Sequence, residues 1–314
     1  MTKRSTALAI VPMLALLALP AGAQTAPAKH PDFTGIWNSS TATPVERPVA
    51  LGDKAFYTPA EAAEFEKRAA SRNVDNIRPG DVGTYNVAWR EFGTHPVKTL
   101  RTSIVTDPPD GRLPALTPAA AKAKAAKQAG IKHPNGAEDT GLQDQCLLFS
   151  PSAPPMMPYS YNSNYQFLLT PDALVIESEF NHETRVIALN GRKHPPANVR
   201  FWLGDSVGHW EGDTLVVDST NFNDQNGFYG DAGGVYGWDR NLHVVERFSL
   251  MDAETILYRF EIDDATAYTK PWKGELTMSR STEPIYEFAC HEGNSRSLEG
   301  IFSATRAEEK ARKK

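Results

Sequence analysis

Three ionisable residues interrupt rows that are otherwise apolar, and each sits where an extended chain would turn it toward a core. Over 242–250, alternate positions put Leu242, Val244, Glu246, Phe248 and Leu250 on one strand face and His243, Val245 and Arg247 on the other. A carboxylate in the apolar row is costly unless paired or protonated, and burial raises its pKa. Glu246 therefore reads either as half of an ion pair with an arginine inside the sheet or as a general acid or base in a cavity. Over 284–292, Ile285, Glu287, Ala289 and His291 alternate against Tyr286, Phe288, Cys290 and Glu292. If that strand is regular, Glu287 and His291 point the same way. A carboxylate beside an imidazole orients it and raises its pKa, which suits proton transfer. Over 174–182, His182 extends the row Leu174, Ile176, Ser178 and Phe180, with Glu177 and Glu179 opposite.

This pattern nominates Glu246, His291 and His182 as catalytic groups lining one cavity. Trp202 and Tyr268 are candidate aromatic walls, and Arg247 and Glu287 candidate substrate-binding groups. Structural hydrogen bonding is the competing reading for both histidines. His182, His194, His209, His243 and His291 all fall in the same half of the chain, but no His-x-His or His-x-x-x-His spacing appears, so no metal site is assigned. Asp205, Ser206 and Ser219 lack a Gly-x-Ser-x-Gly elbow, which argues against a serine hydrolase. There is no phosphate-binding glycine loop, and no cofactor is expected.

The elements that must position these groups are mostly strands. Short β-type runs separated by Gly, Asn, Asp and Pro occupy 164–170, 173–180, 184–189, 199–203, 214–221, 242–250, 255–263, 272–280 and 284–290. Nine such runs without intervening helices predict an antiparallel β-barrel or strongly curved sheet. Trp210-Glu211-Gly212-Asp213-Thr214 and Asn190-Gly191 read as hairpin turns. The run Phe228–Gly237 reads as an aromatic loop, either a lid at a barrel mouth or a long connection. Before residue 140 the texture differs. Thr58-Pro59 with Glu61, and Thr117-Pro118 followed by an Ala/Lys run to Gly130, are helix starts with N-cap and N1 proline signals. The chain thus divides into a leader (1–23), a linker (24–32), one β-rich domain (33–305) with a partly helical excursion at about 50–135, and a basic tail (306–314).

Composition bounds the partners. The 314 residues carry 33 Lys plus Arg against 38 acids, for a net charge of −5. Without Lys3 and Arg4 of the leader the balance falls to −7. A nucleic-acid partner needs a basic stripe and is not expected. Lys3-Arg4, the apolar run Ala7–Leu19, Pro20 and Ala21-Gly22-Ala23 read as a secretory signal cut after Ala23. The apolar run is shorter than the roughly 20 residues of a membrane anchor. A periplasmic or secreted location follows as the expectation. In such an oxidising compartment Cys146 and Cys290 read as a disulfide, with a catalytic thiol as the weaker alternative.

Two resemblances add to this reading. Gly35-x-Trp37 on a first strand resembles the lipocalin/calycin start, in which the Trp plugs one end of a barrel. The phrases DPPDGRLPALT (107–117), the Leu142–Cys146 stretch, LNGRKHP (189–195), WLGDS (202–206), HWEGDTLVVDSTNFN (209–223), LHVVERF (242–248), YTKPW (268–272) and YEFACHEGN (286–294) are similar to a family of exported bacterial proteins. His209 stands where that family usually has Arg. The resemblance implies export and a β-rich fold, and it carries no catalytic residue across. The preferred function is an exported enzyme using His and Glu/Asp acid–base chemistry, of lyase, hydratase, isomerase or hydrolase type, on a small organic substrate in a barrel cavity. The alternative is a non-catalytic, lipocalin-like carrier of an apolar or aromatic ligand. A structural role in the cell envelope is a third, weaker reading.

Overall fold

A computed structural model describes residues 30–72, 93–159, 161–224 and 240–313. The leader, most of the linker and the aromatic loop 228–237 lie outside the described residues. The strands are β1 (Gly35–Asn38), β2 (Val105–Asp107), β3 (Asn164–Leu169), β4 (Ala173–Ser178), β5 (Thr184–Ala188), β6 (Asp205–Glu211), β7 (Thr214–Thr220), β8 (His243–Asp252), β9 (Thr255–Asp263) and β10 (Trp272–Ser281). Three helices, α1 (Pro59–Arg72), α2 (Pro118–Lys132) and α3 (Asn294–Arg312), are present among the described residues.

Nine strands close into a barrel in the order β1-β3-β4-β5-β6-β7-β8-β9-β10, with β10 returning to β1. Closure leaves no edge in the ring, and β2 pairs with the first half of β10 beside β1. The period-two rows decide which side chains go inside. Along β8, Val244, Glu246 and Phe248 are buried while Arg247 is exposed, as their alternation requires. Trp37, Tyr165, Phe167, Phe248, Tyr258, Phe260, Trp272 and Met278 fill the core. Each such ring or chain contributes roughly 1.5–3 kcal/mol on burial.

The Gly-x-Trp start has a defined job at the seam. Trp37 is fully buried, donates from Nε1 to the Phe33 carbonyl at 2.8 Å, and carries the Arg280 guanidinium of β10 4.2 Å above its ring. Gly35 has φ +145°, and a Cβ there would run into that guanidinium.

The helices start as their sequences require. At α1 the Thr58 amide donates to Glu61 at 2.8 Å and the Glu61 amide returns to the Thr58 hydroxyl at 3.3 Å, a capping box. The bonds from Lys54 and Thr58 hold the Glu61 carboxyl down to about 2. At α2 the Thr117 hydroxyl caps Ala120, but the helix passes Gly130 and ends at His133.

Four expectations need correction. Residues 199–203 are a turn rather than a strand, with one bridge from Phe201 to Phe222. The ladder in this region is β6, which begins two residues later. Asn190-Gly191 does form a turn, with Gly191 at φ +74°, but not a hairpin. The strands flanking it, β5 and β6, pair in parallel through Ile187↔Ser206, so the barrel is antiparallel at every pair but this one. A parallel pair needs a crossover connection, which 189–204 provides. Residues 284–290 make no ladder. Side-chain anchors hold them instead: Phe288 packs on Phe149 and Phe180, Cys290 is tied to Cys146, and the Glu179 carboxylate accepts from the Tyr286 amide at 3.1 Å. Finally, 306–312 is no separate tail but the end of α3.

Cys146 and Cys290 form a disulfide across a separation of 144 residues, with Cα atoms 5.8 Å apart. It joins the entry of the barrel half to the segment leading into α3, not to a last strand. The aromatic cluster of Phe149, Phe180, Phe288, Tyr159 and Tyr161 packs nearby along the chain.

Candidate functional site

Glu246 points into the barrel and is fully buried. Its partner is Arg185 of β5, itself buried, which reaches Oε1 at 2.9 Å through Nη1 and Oε2 through Nη2. The Tyr258 hydroxyl donates to Glu246 Oε1 at 2.8 Å and accepts the Met156 amide at 3.0 Å. Arg185 also donates to Ser206 and Ser219, whose hydroxyls lie 2.9 Å apart. Burial, followed by the Glu246 charge, pushes the Tyr258 hydroxyl well above its ordinary value. This is a closed polar network in an apolar interior, and each of Glu246, Arg185, Ser206 and Ser219 has its partner within it. Of the two readings of Glu246, the geometry matches the ion pair.

The other nominated residues do not join it. His291 and Glu287 are exposed in the non-ladder segment before α3. His182 is exposed in the β4–β5 turn at φ +50°, because the strand ends at Ser178 and its alternation stops there. Arg247 lies on the outer face and pairs with Glu211 at 2.7 Å. Tyr268 is buried in the β9–β10 connection with its ring 5.9 Å from that of Trp272, and Trp202 is half-buried just before β6. The proposed single cavity lined by Glu246, His291 and His182 is therefore not formed: one is interior, and the two histidines sit on different surface turns.

A different constellation lies on the outer face where β6 begins, β7 ends and β8 begins. Asp205, Asp218 and His243 come from these three strands in outward rows, and the crossover after β5 supplies Arg192 and His194. Arg192 grips Asp205 with both terminal nitrogens at 2.7 and 2.9 Å. His194 Nδ1 lies 2.6 Å from Asp205 Oδ2 and its Nε2 3.0 Å from Asp218 Oδ1. Asp218 Oδ2 in turn is 2.8 Å from His243 Nε2. The result is an unbroken chain, Arg192–Asp205–His194–Asp218–His243. Both His194 contacts are hydrogen bonds only when both ring nitrogens carry a hydrogen.

The electrostatics follow from these contacts. The bond to Asp218 raises the His243 pKa above its ordinary value, against the opposing effect of partial burial. The same bond lowers the Asp218 carboxyl, with His194 adding to it. Burial pushes Asp205 up, but Arg192 and His194 together outweigh it and the net shift is downward. The His243 side chain is 43% exposed, and its Nδ1 has no partner among the described residues. An imidazole held at one nitrogen by a carboxylate and open at the other can take or give a proton at the open nitrogen.

The outward row of His243 is visible in the sequence, but His194 figures there only as one of five scattered histidines, Asp205 only against a serine hydrolase, and Asp218 only as part of a strand. Their spacing carries no signature, because the carboxylates meet the imidazoles across strands. Among the described residues no group of three or more His, Cys, Asp or Glu is arranged to hold a metal ion.

Two surface grooves lie elsewhere. One of about 690 Å³ is lined by Pro44, Leu51, Tyr57, Phe65 and Arg68, and one of about 700 Å³ by Asn38, His95, Lys98, Thr277 and Arg280. No family model matches this chain, and neither a curated protein nor a solved structure does.

Proposed function

We propose that this protein is an exported acid–base enzyme acting on a small organic substrate, with His243 as the proton-transferring group and Asp218 orienting it. The observation that carries the reading is the half-exposed His243 ring, bound to Asp218 at Nε2 and open at Nδ1. The raised pKa keeps the imidazolium populated toward higher pH, so the same ring serves as acid below its pKa and as base above it. His194, Asp205 and Arg192 fix the far oxygen of Asp218 and so fix the direction of its near oxygen. In this reading Glu246 is structural, and the chemistry sits on the barrel rim instead of in its interior.

Export is part of the proposal. It rests on the leader-like first 23 residues and on a disulfide, which persists in oxidising compartments. The mature protein isolated from an envelope fraction should then have the mass of a chain beginning at Gln24; one that still begins at Met1 contradicts export.

The activity is tested without knowing the substrate. A panel of small ketones in D2O, followed by proton NMR, reports exchange of their carbon-bound α-protons. The native protein should accelerate exchange of at least one member, with His243→Gln losing at least 100-fold and His291→Gln unchanged, within the usual range for a general acid–base group. A fully active His243→Gln protein defeats the assignment. Saturable binding of panel members with no exchange would favour the carrier.

A further inference from the structure

Asn-Gly occurs at 135–136, 190–191 and 226–227, and the last pair lies outside the described residues. The pair at 190–191 sits in the crossover from β5 to β6, at a turn open to solvent. Asn190 and Gly191 are both exposed, Gly191 has φ +74°, and a Cβ there would meet nothing within 4 Å. The chain is anchored on either side of this turn. The Leu189 amide donates to the Asp172 carbonyl at 2.7 Å, and Arg192 grips Asp205. Between these anchors, the Gly191 amide and the Asn190 side-chain NH2 donate to nothing among the described residues. Asn190 Oδ1 accepts the Arg192 amide at 3.2 Å, which closes a ring of atoms that includes the Gly191 nitrogen.

These are the parts of an intramolecular acyl transfer. A main-chain nitrogen one residue after a carboxamide can attack its Cγ and close a five-membered imide. Glycine at that place has no Cβ to obstruct the approach. The Gly191 N–H is tied to no acceptor, so giving up its proton breaks no hydrogen bond. The Arg192 N–H is aimed at Oδ1, where negative charge develops as Cγ becomes tetrahedral, in the manner of an oxyanion donor. Arg192 and Lys193 follow directly, and nearby cations favour the deprotonated nitrogen. Asn135-Gly136 is the opposite case. Its Asn135 amide is bound to the Asp139 carboxylate at 2.9 Å, and a Cβ at Gly136 would lie 2.6 Å from Glu138 Oε2. Two carboxylates there oppose both the anionic nitrogen and the oxyanion.

We infer that Asn190, and not Asn135, is a site of spontaneous deamidation in the folded protein. The Gly191 nitrogen bonds to Asn190 Cγ, the Cγ–Nδ2 bond breaks, and ammonia leaves with the proton given up by the Gly191 amide. Water then opens the imide at one of its two carbonyls, giving aspartate or isoaspartate. Either product adds a negative charge, and isoaspartate also adds one methylene to the main chain. The change falls two residues before Arg192 and four before His194, whose contacts with Asp205 hold the crossover against the barrel wall. The inference is independent of the acid–base reading, because it requires nothing of His243 or Asp218.

The test incubates the native protein in mildly alkaline buffer and follows the tryptic peptide Val186–Arg192 by mass spectrometry. Conversion is read as the mass gained when NH2 becomes OH, with isoaspartate separated from aspartate by chromatography. A synthetic peptide of the same sequence, incubated alongside, gives the rate without the fold. Asn190 in the folded protein should convert at a rate within about tenfold of the free peptide, which corresponds to at most about 1.4 kcal/mol of added barrier. Asn135 in the same samples should convert more slowly than Asn190 by about tenfold or more, the same increment in the other direction. An Asn190 that stays intact while the free peptide converts overturns the inference, because the fold then protects the turn. Asn135 converting as fast as Asn190 overturns it too, because the residue pair alone would then set the rate.

Discussion

Replacing Glu246 by Gln isolates the contribution of the interior ion pair. The native carboxylate receives three hydrogen bonds, two from Arg185 and one from Tyr258. Glutamine can still accept at one oxygen, which preserves the bonds from Arg185 Nη1 and the Tyr258 hydroxyl. At the other position it places an NH2 against Arg185 Nη2, donor against donor. The guanidinium then stays buried with no countercharge, since Ser206 and Ser219 are its remaining partners. Breaking one side of a buried pair costs about 3–5 kcal/mol. For a domain of this size that lowers Tm by about 6–20 °C. Guanidinium denaturation with an unchanged slope, alongside a thermal melt, measures it. The double replacement Arg185→Met with Glu246→Leu removes both charges and should recover most of the loss, because apolar residues of similar volume substitute for such a pair with little or no net cost. A Glu246→Gln protein within about 1 kcal/mol of native would refute the reasoning. It would mean that Arg185 is solvated or that the pair contributes nothing.

Two further outcomes follow. Asp218→Asn should lower the His243 pKa toward the ordinary value of about 6.5, read from the imidazole carbon-bound protons by NMR. Because the folded His243 pKa is raised, its stabilising contribution is full below the unfolded value and disappears as pH rises through the folded one. Asp218 is depressed, so its contribution is present above the unfolded carboxylate value and disappears as pH falls through the folded one. The stability gap between native and Asp218→Asn should thus be widest around pH 5–6 and narrow toward pH 9; a flat gap contradicts the pairing. Replacing Cys290 by Ala should cost about 5 kcal/mol in the loop-entropy account of a 144-residue closure, measured by denaturant unfolding without reductant, and an unmoved midpoint would show that the disulfide does not constrain the unfolded chain.

Local patterns in this chain were legible because their physics is local. The alternation over 242–250 turns Glu246 inward whatever it meets there, since successive strand residues must face opposite sides. Thr58 with Glu61, and Trp210 through Thr214, carry their capping and turning groups within a few residues, and β6 and β7 are joined by that turn. The two cysteines had only each other to pair with. What the alternation could not show is the identity of any partner across the barrel. Arg185 lies 61 residues from Glu246 and meets it because of how the strands are ordered around the ring. The parallel pairing of β5 with β6 arises from a crossover whose Asn-Gly turn looks, in isolation, like a hairpin. Residues 284–290 alternate as well as any strand, yet Phe288, Cys290 and Tyr286 find tertiary anchors that a ladder would forbid. His194, Asp205, Asp218 and His243 acquire a joint meaning only when three strands and a crossover place them side by side. Period and capping are properties of neighbours in sequence, whereas hydrogen bonds between side chains on different strands depend on register and closure, which the whole chain decides together.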